Sequence, residues 1–251
     1  MSAAPIQRSS FARVPAAFRL QFTVPSAMIG VPLLVFVSAW AIALGIVFWI
    51  HQATDRSAVP ITEPMYTGAS QAALWALVFI AAYSATHTFP FAMALSYSRR
   101  VFVIGTILAF TAVSLGLGAA FALAAWVEEL TGGYGIDAYN FNLPYLTSGP
   151  GGLFSAGLMV AVLTLMLMLL GFGVTILYRR MGLVPFWAAL LGIAVVIAAA
   201  IMLITTGGSW GTVWEWAARQ TALSLAGWLT PPTLGLGALS YAAIRRAVPA
   251  H

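Results

Sequence analysis

His87 is the one histidine inside a span-length apolar run, and Tyr83 and Ser84 precede it by four and three residues, on the same face of a helix. An imidazole beside two hydroxyls can relay a proton, ligate a metal or haem, or hydrogen-bond at a membrane boundary. Ionisable groups inside a membrane mark function by default, so Tyr83 and His87 are candidates for a substrate path. His87 also lies near the predicted inner boundary, where a hydrogen-bonded interfacial histidine is the competing reading. Haem needs a second axial ligand, and His51 and His251 fall outside the predicted spans.

Little other chemistry is on offer. The chain has no Cys, which removes disulfides, thiolate catalysis, iron–sulfur clusters and Cys-ligated zinc. No Asp or Glu falls within a predicted span, and the spans hold neither a His pair nor a carboxylate pair. There is no Gly-rich phosphate loop or other nucleotide motif. We therefore assign no catalytic, cofactor-binding or metal residue and expect a non-catalytic chain. Energy for transport would come from an ion gradient or from a separate subunit. An ion-coupled transporter or channel is disfavoured by the lack of mid-membrane acids, while a membrane scaffold subunit stays open.

The elements that position these residues follow from composition. Of 251 residues, 61% are hydrophobic and only 7% charged, against about 25% charged in a soluble domain. Too little polar surface exists to cover a soluble fold, so the class is an all-α integral membrane protein. Six apolar runs stand out: Pro25–Ile50, Ala69–Phe89, Val101–Val127, Gly152–Leu177, Leu183–Thr205 and Ala222–Ile244. At ~1.5 Å rise per residue each is near the ~30 Å hydrocarbon thickness, so six transmembrane helices are predicted. The alternating pattern of a transmembrane barrel is absent.

Charge orients the spans. All eleven basic residues are Arg, and nine of them (Arg8, Arg13, Arg19, Arg99, Arg100, Arg179, Arg180, Arg245, Arg246) fall on one side with no acid. The other side carries Arg56, Arg219 and all six acids. The positive-inside rule puts both termini in the cytoplasm. The net charge of +5 thus reports topology, and no nucleic-acid partner is expected. Arg without Lys, with abundant Ala and Gly, suggests a high-GC bacterial genome and hence a bacterial cell membrane. The run Ala27–Ile50 is too long for a signal-peptide core and reads as a retained first span.

Local patterns add detail. Residues 1–24 form a predicted cytoplasmic amphipathic segment: Phe11, Val14, Phe18 and Phe22 recur near helical spacing, with Arg13 roughly opposite. A disordered basic leader is the alternative. The loop Glu128–Pro150 is long and aromatic, either a place to receive or release substrate or an interfacial lid. Residues 207–220, with three Trp within seven positions and a Glu215/Arg219 pair four apart, predict a short outer helix. Gly116, Gly118 and Ala120, and Gly171 and Gly173, permit close helix approach.

Between spans two and three runs FPFAMALSYSRRVFVIG, Phe89 to Gly105. An apolar stretch, small residues, Ser-Arg-Arg, an aromatic and a Gly, carried here by Leu95, Ser96, Ser98, Arg99, Arg100, Phe102 and Gly105, resembles the cytoplasmic turn of ATP-binding-cassette (ABC) exporter permeases of the six-span, type-2 class. The family often has Gly where this chain has Ser96. That family also has an amphipathic N-terminal helix, six spans and an outer helical segment between spans five and six. The resemblance implies a six-helix permease domain over 25–246, with coupling segment 90–100 and outer helical segment 207–220. It implies export of a hydrophobic or amphipathic substrate, with ATP and Mg on partner ABC ATPase subunits and none bound here. It also implies a second permease copy or related permease. Phe91, Leu95, Ser96, Ser98, Arg99 and Arg100 would meet the ATPase. Physically, Pro90 can end span two, Phe91–Tyr97 can make an interfacial turn, and Ser98 can cap span three. Arg99 and Arg100 would face acidic ATPase residues or lipid phosphates. The competing reading is that this Arg pair, like the two others, only fixes topology.

Overall fold

The computed structural model describes residues 10–24, 26–55 and 63–245. Arg8, Arg56, Arg246 and His251, on which parts of the charge and histidine readings rest, lie outside the described residues. Near the N-terminus, a 3-10 turn leads into α1 (Val14–Leu20), with Pro15 in its first turn, where a missing N–H costs nothing. Among the described residues, five helices are long and apolar enough to cross a membrane: Ser26–Ala53, Ala69–Ala94, Arg99–Thr131, Gly152–Met181 and Leu183–Thr206. The chain is therefore an all-α, multi-pass membrane protein.

The first crossing is a π-helical turn, Ser26–Gly30, running into α2 (Val31–Asp55). It carries His51 inside the helix, beyond the predicted end of the run. The second is α3 (Ala72–Tyr83), a π-turn Ser84–Thr88, and α4 (Phe89–Ala94) in one continuous course. The third is α5 (Arg99–Thr131), whose last turn includes Glu128 and Glu129. A short helix α6 (Pro144–Thr147) precedes α7 (Gly152–Met181) and α8 (Leu183–Thr206). Then come α9 (Trp210–Ala218) and α10 (Ala222–Arg245). The predicted sixth span coincides with α10, which is 24 residues long but is not among the five strongly apolar helices. Pro231, Pro232 and its Ser and Thr residues dilute its apolar character.

The body is built around α7, which packs along α5, α10 and α3. The core falls into two clusters. Toward the Arg-rich end, Phe102, Phe110 and Phe172 interlock, the last two edge to face at 5.7 Å. Toward the acid-bearing end, Phe121, Phe141, Leu146 and Val160 close the body. There Met65–Tyr66 (β1) pairs in parallel with Ala138–Tyr139 (β2), tying the two long loops together.

Two elements stand off the body. Gly182 alone joins α7 to α8, at φ 78°, and α8 meets α7 only near that vertex, where Tyr178 and Phe186 touch edge to face at 5.2 Å. No residue of α8 or α9 is buried. Within α9, Glu215 and Arg219 stand 3.7 Å apart, both largely in the open, where such a pair adds little.

Candidate functional site

The residues singled out in the sequence gather at the Arg-rich end, where α1, α4, the start of α5 and the ends of α7 and α10 converge. The segment that resembles a coupling turn is made as follows. Helix α4 stops in a double hydrogen-bonded cap: the Tyr97 N–H donates to Ala92 O at 3.1 Å and the Ser96 N–H to Met93 O at 3.0 Å. That cap needs a left-handed residue, and Ser96 takes it at φ 59°. A non-glycine residue there costs about 1 kcal/mol, the penalty a Gly at this position would avoid. Ser98 then starts α5, its hydroxyl accepting from the Val101 N–H at 3.3 Å.

The turn is held from the side by α1. The Arg13 Nη1 donates to Ser96 O at 3.1 Å, and its guanidinium lies 4.5 Å over the Tyr97 ring. Helix α1 sits directly on α5, because a Cβ on Gly105 would lie 2.7 Å from the Ala17 Cβ and 2.8 Å from the Ala17 carbonyl carbon. Just beyond α1, the buried Gln21 donates to Thr106 Oγ1 at 2.7 Å and accepts from the Ser84 hydroxyl at 2.7 Å. The apolar stripe read as facing the inner leaflet thus turns partly inward: Ala17 and Gln21 are buried, and Phe18 and Phe22 are half-buried. The Phe11 side chain lies outside the described residues.

One expectation changes. Pro90 does not end the second crossing, which continues to Ala94. A proline in a helix leaves the carbonyl four residues back, here Thr86 O, without its donor. The π-turn shifts the Phe89 N–H to Ser84 O, so Ala85 O loses its donor as well. Arg179 from α7 occupies the gap, with its Nη1 3.3 Å from Thr86 O and 3.5 Å from Ala85 O. Arg179 therefore supports the backbone of a neighbouring span as well as carrying charge. Residues Phe91–Ala94 accordingly extend that span, and the turn proper is confined to Leu95–Ser98. The Arg pair follows at the start of α5. The Arg100 Nε donates to the Tyr241 hydroxyl at 2.8 Å, linking the start of α5 to α10, while Arg99 is half-buried. Phe91 and Leu95 are exposed beside them.

Arg179→Met is expected to lower stability by about 1 kcal/mol. Pro90→Ala, which returns an N–H to Thr86 O, should shrink that loss. A double-mutant cycle on detergent melting temperatures checks this, and strictly additive effects would show that the two are not linked.

Tyr83 and His87 stack with ring centroids 4.4 Å apart. They line a cavity of about 330 Å³ with Thr23, Ser84, Thr88 and Phe91. A second cavity of about 430 Å³, wholly apolar in its lining side chains, lies deeper, between α2, α3 and α5. Met28 lines both. Among the described residues no three His, Asp or Glu gather as a metal site.

At the far end, Glu128 is fully buried. Its carboxylate accepts from the backbone N–H of Asn140 (3.0 Å), Phe141 (2.9 Å) and Asn142 (2.8 Å). Beside it the Tyr134 hydroxyl accepts from the Trp40 indole N–H at 3.1 Å. Burial raises the Tyr134 pKa above its ordinary value, the Trp40 bond opposes this, and the Glu128 charge adds to the rise. Glu128 therefore anchors the Glu128–Pro150 loop, a role beyond its share in the charge asymmetry. Nothing local in the sequence marks Arg13, Arg179 or Glu128 as contact residues, because their partners lie far along the chain. An uncharged Gln inside an otherwise apolar stripe was the one local hint.

No protein-family model, curated protein or solved structure matches the chain.

Proposed function

We propose that this chain is the membrane permease subunit of an ABC exporter, oriented with its Arg-rich end in the cytoplasm of a bacterial cell. It moves a hydrophobic or amphipathic substrate using ATP hydrolysed, with Mg, on separate ATPase subunits, and pairs with a second permease copy or a related permease. The observation that carries the reading is the Leu95–Ser98 turn. It is braced by Arg13, capped at both ends, and continuous through helix with two crossings. A push on such a turn moves α3–α4 and α5 together instead of being absorbed in a slack loop. The exposed apolar tip, Phe91 and Leu95, beside the Arg pair offers a partner both contact area and charge. Glu128, the acid buried at a helix end, is occupied by backbone donors, which supports this reading over an ion-coupled carrier.

Purification in mild detergent should recover the chain with an ATP-hydrolysing subunit, identified by mass spectrometry. Arg99→Glu with Arg100→Glu should shed that subunit several-fold more than Arg245→Glu with Arg246→Glu. Tyr241→Phe, which removes the hydroxyl that accepts from Arg100, should retain it. Recovery of the bare chain without ATPase activity overturns the reading. Flux driven by a proton or sodium gradient through the chain alone would put an ion-coupled transporter or channel in its place, and a stable complex with neither activity a scaffold subunit.

A further inference from the structure

We infer that the groove between α2, α3 and α5 is a binding site for a single-chain amphiphile with an oxyanion headgroup, tail toward α5 and headgroup at His87. The proposal rests on the exporter reading for its meaning, since it names the substrate class, but not for its test.

The two cavities divide by polarity. The deeper one, about 430 Å³, is within the ~300–1,000 Å³ range of small-molecule sites. Its walls include Leu33, Phe36, Leu77, Val113 and Gly116, so it offers a tail apolar contact and nothing to hydrogen-bond. The shallower one, about 330 Å³, lies between the segment Leu20–Met28 and the second crossing, and is where the polar side chains lie. Gln21 is engaged with Ser84 and with Thr106, and the Thr23 hydroxyl donates to Leu20 O at 2.8 Å. That leaves the Tyr83 hydroxyl, the His87 imidazole and the Thr88 hydroxyl to face a ligand. All three can donate, and no Asp or Glu lines the cavity to repel an anion. An oxyanion that accepts several hydrogen bonds fits this end, and a carboxylate or a phosphate monoester supplies one. Met28, the wall common to both cavities, is unbranched and flexible and suits a threshold that a chain must pass.

Gly116 makes the test clean. A Cβ added there meets nothing within 4 Å, so Gly116→Leu fills the cavity without disturbing a helix contact. The purified chain in phosphatidylcholine nanodiscs is titrated with fluorescent palmitate and challenged with unlabelled palmitate, lysophosphatidic acid and monoacylglycerol. Wild type is expected to bind palmitate and to prefer both anions over monoacylglycerol by about tenfold, and the ranking of the two anions separates a carboxylate from a phosphate ligand. Gly116→Leu should weaken all three by tenfold or more. His87→Phe, which keeps an aromatic ring beside Tyr83, should abolish the preference while retaining tail binding. Unchanged binding in Gly116→Leu overturns the site, and equal binding of monoacylglycerol by wild type overturns the headgroup assignment. No ATPase takes part, so the exporter reading can fail while this site stands, and the reverse.

Discussion

Gly118→Val is expected to leave little folded protein. A Cβ on Gly118 would lie 2.4 Å from Gly157 O and 2.8 Å from the Ala161 Cβ. A Cβ on Gly157 would in turn lie 2.8 Å from Gly118 O and 3.0 Å from the Ala122 Cβ. Small residues four apart on each helix, Gly118 with Ala122 and Gly157 with Ala161, bring the backbones of α5 and α7 together. In lipid there is no hydrophobic drive between helices, so such close approach supplies much of their attraction. The obstacle at Gly118 is backbone and cannot rotate away. Overpacking typically costs 1–3 kcal/mol, and here about 3 kcal/mol or more is expected, because α5 against α7 is a main contact of the body. Thermal melting and the yield of monodisperse protein in detergent measure it. Gly116→Val, two residues away and facing open space, is the control and should behave as wild type. Equal melting of Gly118→Val and wild type would show that α5 and α7 do not meet in this way.

Glu128→Ala should release the loop that closes the acid-bearing end. The carboxylate holds three consecutive backbone N–H groups and, at 3.3 Å, the Asn140 side-chain amide. Its place in the last turn of α5 is unfavourable for a negative charge, because the helix dipole is negative there. The loop, and not the helix, therefore explains it. Each buried donor left without an acceptor costs about 1–3 kcal/mol, and partial hydration at the boundary brings the expected total to about 3–5 kcal/mol. Glu128→Gln is expected to be nearly as damaging, since its amide N–H₂ meets donors. Hydrogen exchange of residues 140–142 and limited proteolysis between 132 and 150 report the release. Full protection of those amides in Glu128→Ala would mean that the carboxylate is dispensable.

The fold was legible wherever it depended on short windows of sequence. Hydropathy placed the crossings within a few residues, because insertion into lipid is decided residue by residue. The Ser98 cap and helix α9 were readable for the same reason: each arises within a single turn or two. Pro90 misled because its local rule, that a proline ends a helix, holds only while the orphaned carbonyls lack another donor. Arg179, 93 residues away from Thr86, supplies one. The sixth run folds as helix α10, yet two prolines and several hydroxyls leave it less apolar than the others.

The candidate site was legible in its members and not in its arrangement. Tyr83 and His87, four apart on one helix, were bound to meet, and they stack. That they face a cavity edged by Met28, with an apolar chamber ending on Gly116, depends on how far α2 stands from α5. Arg13 on Ser96 and Gln21 between Ser84 and Thr106 join positions more than sixty residues apart. Sequence by itself determined which segments enter the membrane, which end carries the arginines, and where helices start. Only the tertiary structure decided which faces meet, because in a solvent as apolar as the side chains themselves every face is tolerable. The choice falls to steric fit at glycines and to a few polar bonds.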